Sequence, residues 1–243
     1  MIDRPLRRME SQAPFGFTLP MTESSTGRRG SYAKGVAKRE EILTRALDVI
    51  AREGYRGASV KELADAVGLS QAGLLHYFDS KEELFTEILR KRDEVDADDQ
   101  GLGGDLEHGF TTPPDEAPDI RAGYVRLIRH NADVPGLVHL FARLSVDAAD
   151  PEHPAHQFFV TRGENLRGFF SAAIAAKQAS GEITDRVDPE TLARIFQAVA
   201  DGMQVQWMLE PDVDMAATVN ALFELLTPPP AAPAAPTEAG EAG

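Results

Sequence analysis

SVKELADAVGLSQAGLLHYFDSK, residues 59–81, reads as two short helices joined by a tight glycine turn, the outline of a helix-turn-helix. Ser59 is placed to cap the free N–H groups of the first helix, and Glu62, three residues on, returns the bond in a capping box. Leu63, Ala64 and Val67 recur at helical spacing and form its inward face. Gly68 stands where a helix ends in the left-handed region, which costs glycine little, and Leu69 fills the angle between the helices. Ser70 caps the second helix, in which Leu74 and Phe78 face the core. Gln71, Ala72, Gly73, Leu75 and His76 are left on its outer side. That face is short in bulk and free of acid, which suits a major groove, where small residues allow close approach and Gln or His meets base edges.

The flanks extend the pattern. In residues 37–53, Ile42, Leu43, Ala46, Leu47 and Ile50 lie on one stripe that stops at Gly54, so a further helix braces the pair. A fourth helix starts after Asp79 through a second capping box, Ser80 to Glu83, with Leu84, Phe85, Ile88 and Leu89 inward. Lys81 then sits in its first turn, where the helix dipole disfavours a cation unless a phosphate lies beside the ammonium and the free amides. Two short amphipathic helices with a glycine turn also occur in all-α proteins that never touch DNA, so the flanks carry the reading as much as the spacing does.

Residues 39–89, REEILTRALDVIAREGYRGASVKELADAVGLSQAGLLHYFDSKEELFTEIL, resemble the DNA-binding domain of the tetracycline-repressor (TetR) family of bacterial one-component regulators. The resemblance implies an all-α fold: an N-terminal three-helix helix-turn-helix DNA-binding domain followed by a C-terminal helical ligand-binding and dimerisation domain. It implies DNA contacts from Ser59, from Gln71, Ala72, Gly73, His76 and Tyr77, and from Lys81, with Val60, Ser70 and Leu75 beside them. Leu75 departs from the family, whose members often carry Tyr there. It either touches a thymine methyl or packs.

Charge is distributed unevenly. Residues 1–92 hold 16 Lys and Arg against 13 Asp and Glu, whereas residues 93–243 hold 9 against 26, within a total of −14. Arg28, Arg29, Lys34, Lys38 and Arg39 precede the first acid of the bracing helix and enclose Tyr32, a basic arm suited to phosphates or to the minor groove. A merely solubilising leader has the same composition. The acidic C-terminal body repels DNA and confines binding to one end.

These features divide the chain into a flexible basic arm (1–36), a helix-turn-helix domain (37–97), an effector and dimerisation domain (98–227) and a Pro/Ala tail (228–243) expected to be disordered. Met21 opens a stretch that would itself make an ordinary N-terminus, so residues 1–20 read as the product of a mis-chosen start codon. The absence of Cys excludes disulfides, thiolate metal sites and a Cys nucleophile. No apolar run approaches the roughly 20 residues of a membrane span. No signal peptide is visible, and a cytoplasmic protein is expected.

Residues 100–118, rich in Gly, Pro and acids, read as a loop, and no alternating strand pattern competes with the helices that follow. Helices follow over 120–134, around Leu137 to Ala148, from Pro154 to near Gly181, from Asp188-Pro189, and from Asp214. The resemblance makes the last two long helices a dimer interface. Ala193, Ala198, Ala200 and Gly202 would permit close approach there, and Trp207, Met208 and Leu209 would be anchors, unless they fill the subunit's own core.

Candidate effector-pocket residues are Tyr124, Ile128, Asn131, Phe141, Phe158, Phe159, Arg162, Phe169, Phe170, Gln204 and Trp207, each of which also suits plain core. His153 and His156 beside Glu152 are a weak metal signal, and neither a metal nor a cofactor is expected. Arg126, Arg129 and His130 suit either an acidic effector or a solvated face. Ser145, Asp147 and the histidines form no nucleophile motif, and there is no phosphate-binding glycine loop, so an enzyme is not expected. The expected partners are a palindromic DNA operator, a second copy of the chain and an unknown small-molecule effector, with no membrane. The alternative is a dimeric helical interaction module that no longer binds DNA.

Overall fold

The computed structural model describes residues 26–54, 59–110 and 119–228, apart from the side chains of residues 26–32, Glu53 and Asp105. The described residues form α1 (Thr26–Glu53), α2 (Val60–Ala66), α3 (Gln71–Leu75), α4 (Lys81–Asp99), β1 (Gly104–Asp105), β2 (Gly109–Phe110), α5 (Ile120–Asp133), α6 (Pro135–Asp147), α7 (His156–Ala179), α8 (Pro189–Leu209) and α9 (Met215–Leu226). The arrangement is all-helical except for one two-residue antiparallel hairpin.

The local signals of the helix-turn-helix are realised atom by atom. The Glu62 N–H donates to the Ser59 hydroxyl oxygen at 3.2 Å, and the Ser59 N–H donates to the Glu62 carboxylate at 2.8 Å. At the turn Gly68 has φ +68°. There the Leu69 N–H donates to the Ala64 carbonyl at 2.9 Å and the Gly68 N–H to the Asp65 carbonyl at 3.1 Å, the two bonds of a Schellman ending. Ser70 caps α3 by accepting from the Gly73 N–H at 3.0 Å, and Ser80 caps α4 by accepting from the Glu83 N–H at 2.9 Å. The second capping box differs in one half: the Glu83 carboxylate accepts from the Asp79 N–H rather than from the cap residue.

Three expectations need correcting. The residues from Thr26 belong to α1, so the backbone of Arg28, Arg29 and Tyr32 is helical rather than a flexible arm; extending a formed helix adds one bond per residue fixed and needs no new nucleus. Their side chains lie outside the described residues. The stretch after α4 is not all loop, because Gly104 and Gly109, at φ +71° and +91°, let the chain reverse into β1 and β2. The helix expected from Pro154 begins at His156, after a turn held by two side chains: His153 Nδ1 accepts from the Ala155 N–H at 3.1 Å, and His156 Nδ1 bonds the Ala148 carbonyl at 2.9 Å.

Two cores organise the molecule. The first buries Ile42, Ala46 and Ile50 of α1, Leu63 of α2, Leu74 and Phe78, and Leu84, Ile88 and Leu89 of α4. It continues without a break through Leu137, Leu140, Phe141 and Leu144 of α6 to Phe158 of α7, so burial does not stop at residue 97. Gly136 explains the close approach of α6: a Cβ there would lie 2.7 Å from the Gly54 Cα and 3.0 Å from the Ile50 carbonyl carbon. The second core joins α5, the C-terminal half of α7, α8 and α9 around Tyr124, Phe170, Phe196 and Phe223. Its ring pairs include Tyr124–Phe170 at 4.7 Å and Phe196–Phe223 at 4.3 Å. Ala193 and Ala200 of α8 are buried in this core, so they serve the subunit's own packing rather than an interface.

Candidate functional site

The outer side of the helix-turn-helix carries most of the side chains expected to meet DNA. Ser59, Ser70, Gln71, Ala72, Leu75, His76 and Lys81 are exposed, while Gly73 and Tyr77 are half-buried. His76 and Tyr77 stand edge to face, 6.0 Å between ring centroids. Val60 departs from the set: its side chain is buried in the first core, because the first position of α2 faces α1, and only its backbone remains for a phosphate. Gly73 has a reason to be small, since a Cβ there would lie 3.2 Å from the capping Ser70 hydroxyl.

Lys81 sits at the first position of α4 with its ammonium 5.4 Å from the Phe85 ring centroid and, among the described residues, in no ion pair. The helix end is braced from behind. Arg39 of α1 pairs with Glu83 at 2.8 Å and Glu87 at 3.3 Å and covers the Phe78 ring at 4.9 Å. Lys91 pairs with Glu40 and, at 2.9 Å, with Glu94; the bond to Glu40 leads the influences that raise its pKa. These pairs neutralise acids of α1 and α4 inside the domain, which reduces the repulsion an approaching phosphate meets.

A cavity with about 750 Å³ of unfilled space, partly open to solvent, lies between α4, α5, α7 and the hairpin. Of the expected pocket residues, Tyr124, Arg162, Phe169 and Phe170 line it. Phe141, Phe159 and Gln204 instead border a second recess between α6, α7 and α8 that Arg162 also reaches, and Phe158 faces a polar recess against Glu83 and Arg90. Ile128, Asn131 and Trp207 line none of these spaces. Ile128 and Asn131 are buried. Trp207 packs on the second core, an apolar contact that satisfies a large ring without leaving space for a ligand.

The wall residues missed at the level of sequence come from the end of α4 and from the hairpin: Arg92, Asp93, Asp96, Leu102, Leu106 and Phe110. Phe110 packs on Phe169 at 4.6 Å, and the Asn165 side-chain amide donates to the Leu106 and Glu107 carbonyls at 3.1 and 2.8 Å. Arg92 and Asp96 stand at i and i+4 on α4, a spacing shared with solvent-facing pairs, and only burial distinguishes them. Arg162 Nε and Nη2 donate to the two Asp93 oxygens at 2.7 and 3.1 Å, and Asp93 is 3% exposed. Burial opposes the Arg162 charge, and Asp93 more than offsets it. Burial also pushes the Asp96 carboxyl above its usual range against the pull of Arg92, and Tyr124, whose hydroxyl donates to the Phe196 carbonyl at 3.2 Å, is raised by its burial.

Among the described residues no group of His, Asp or Glu is arranged to hold a metal. Arg126 donates to Gln100 at 2.7 Å across the mouth of the cavity. No helix among the described residues is long and apolar enough to cross a membrane.

The fold and the exposed third helix define an all-helical protein with an N-terminal helix-turn-helix. Residues 42–88 match the family described as bacterial regulatory proteins, tetR family. That match covers the helix-turn-helix segment and leaves the C-terminal helices outside it. The HTH-type transcriptional regulator RutR of Escherichia coli (strain K12) is 36% identical over 72 residues, which is 29% of this chain and 34% of RutR. The chain thus spans about a third of the length of the curated relatives it matches first. The HTH-type transcriptional regulator TcmR of Streptomyces glaucescens is 24% identical over 213 residues, 84% of this chain and 88% of TcmR. A crystal structure of a TetR-family transcriptional regulator from Agrobacterium tumefaciens shares the fold, with a TM-score of 0.57 and 22% identity over 80% of this chain and 100% of that one.

Proposed function

We propose that this chain is a sequence-specific DNA-binding transcriptional regulator, a homodimeric repressor of the cytoplasm that leaves a palindromic operator when a small molecule enters the cavity between α4, α5 and α7. The observation that carries the reading is α4 itself. Its first residue is the exposed Lys81, and its last turns supply Arg92, Asp93 and Asp96 to the cavity wall. A ligand that repositions the C-terminal turns of α4 therefore moves the helix that abuts α3.

Dimerisation is supported by the outer side of the last two helices. Ile195, Ala198, Gly202, Val205 and Leu209 recur at three- and four-residue spacing on α8, with Leu209 78% exposed, and a Cβ at Gly202 would meet nothing within 4 Å. On α9, Ala217, Ala221 and Leu225 continue the pattern, with Leu225 81% exposed. Such a stripe of small and apolar residues suits a second copy of the same helices about a two-fold axis. One α3 reads few base pairs, and two on that axis read half-sites about one helical turn or a little more apart.

Release is a population shift. The effector must bind better to a conformation whose recognition helices are spaced wrongly for successive major grooves, because equal affinity shifts nothing. Selection of bound sequences from a random duplex pool tests the reading: an enriched palindrome supports it, and salt-labile nonspecific binding alone refutes it. On the selected operator, Lys81→Ala should weaken all sequences alike and reduce the salt slope by about one, while Gln71→Ala should change preference among sequences.

A further inference from the structure

The walls of the cavity between α4, α5 and α7 bring two buried acids, Asp93 and Asp96, beside two buried arginines, Arg92 and Arg162. Arg92 and Arg162 serve Asp93, Asp96 and, on the far side of Arg162, Asp201, while Asp119 stands at the rim. Asp93 is fully engaged by the two bonds from Arg162 and by Arg92 at 3.3 Å. Asp96 is not. It is 9% exposed and lines the cavity, and its carboxylate accepts no hydrogen bond among the described residues. Its nearest basic groups are Arg92 Nε at 3.5 Å and the His130 ring Nε2 at 3.9 Å. Arg92 Nε is itself buried without a hydrogen-bond partner, so the bond that would close this pair is not made. A buried carboxylate in that state is costly until a donor reaches it.

The rest of the wall is apolar and aromatic, with Phe110, Tyr124, Phe169 and Phe170 turned to the same space. Ring faces attract cations, most strongly where water is excluded. A carboxylate ligand would meet Asp96 with like charge, and a neutral one would offer it at most an uncharged donor, a weaker bond than a charge-assisted one.

We propose that this cavity binds an organic ammonium ion on an aromatic or branched apolar body, the ammonium donating to Asp96 and the body lying against Phe110, Phe169 and Tyr124. The proposal rests on the reading of this cavity as the effector site and names the effector's chemical class. It also gives the ligand a grip on α4, because Asp96 and Lys81 are carried by the same helix.

Three probes of similar shape separate the cases: 2-phenylethylammonium, 2-phenylethanol and 3-phenylpropanoate, each titrated calorimetrically into the full-length protein and then added to its complex with the selected operator. The ammonium ion is expected to bind at least about tenfold more tightly than the other two, as one charge-assisted hydrogen bond implies. Asp96→Asn is expected to abolish that preference, with its melting curve confirming that it folds. The comparison within the unaltered protein stands without the variant. Equal or tighter binding of the alcohol or the carboxylate, or no heat from the ammonium ion at millimolar concentration, overturns the proposal. Preferential ammonium binding that leaves the operator occupied upholds the charge assignment and refutes the effector reading. Release of the operator by the carboxylate alone does the reverse.

Discussion

Gly136→Ala adds one methyl group at the place where α6 meets the end of α1. The new Cβ would lie 2.7 Å from the Gly54 Cα, 3.0 Å from the Ile50 carbonyl carbon and closer still to the Ile50 carbonyl oxygen. All three obstacles are backbone, and the Ile50 carbonyl already holds the Gly54 N–H at 3.0 Å, so no side chain can swing aside. Relief requires α6 to back away from α1, which loosens Leu137, Leu140 and Phe141 in the first core. Overpacking of this kind costs about 1–3 kcal/mol or more, and the better helix propensity of alanine returns at most about 1. The control is Gly168→Ala in α7, where a Cβ meets nothing within 4 Å; it should stabilise by roughly 0.5–1 kcal/mol. Urea unfolding followed by circular dichroism, at one protein concentration so that any self-association contributes equally, reads both. A Gly136→Ala midpoint equal to or above that of Gly168→Ala would refute the close approach and the sharing of the first core by α1 and α6.

Removing one partner of the Arg162–Asp93 pair, as in Arg162→Met, should cost about 3–5 kcal/mol, whereas Asp93→Leu combined with Arg162→Met should lose much less than the two singly; a double-mutant cycle in urea decides. Ser59→Ala should destabilise by about 1 kcal/mol through loss of the cap, and additivity with Glu62→Ala would show that the reciprocal bonds are not formed. Burial raises the Asp201 carboxyl above its usual range, against the pull of Arg162. The native state then holds this proton to higher pH than the unfolded chain does, so its contribution to stability falls as pH rises from the ordinary Asp range through the raised value. Asp201→Asn should therefore stabilise at neutral pH, with the gain shrinking in acid; a gain independent of pH in melting experiments would sink the assignment.

The legibility of the sequence followed the range of the interactions. Ser59 with Glu62, the Gly68 turn and the Ser70 and Ser80 caps are bonds within a few residues, so residue type and spacing were sufficient to place α2, α3 and α4 and the face that α3 leaves to solvent. Asp214 and Asp188-Pro189 announced α9 and α8 for the same reason. Val60 went astray because its side of α2 is set by α1, which lies outside any local window. The cavity was the least legible part. Tyr124 and Phe169 carry the aromatic character that marked them, but Asp93 and Asp96 look like solvent-facing acids until Arg162, 69 residues beyond Asp93, closes over them. The sharing of one core by α1, α4 and α6 likewise depends on Gly136 meeting the Gly54 backbone, a contact between distant segments that leaves no periodic trace. The sequence alone determined the helices, the helix-turn-helix and its outward residues, since caps, turns and amphipathic spacing are local chemistry. Tertiary structure alone decided which charges are buried, where space remains for a ligand and how that space is joined to α4, since burial and cavities arise only when segments far apart in the chain pack together.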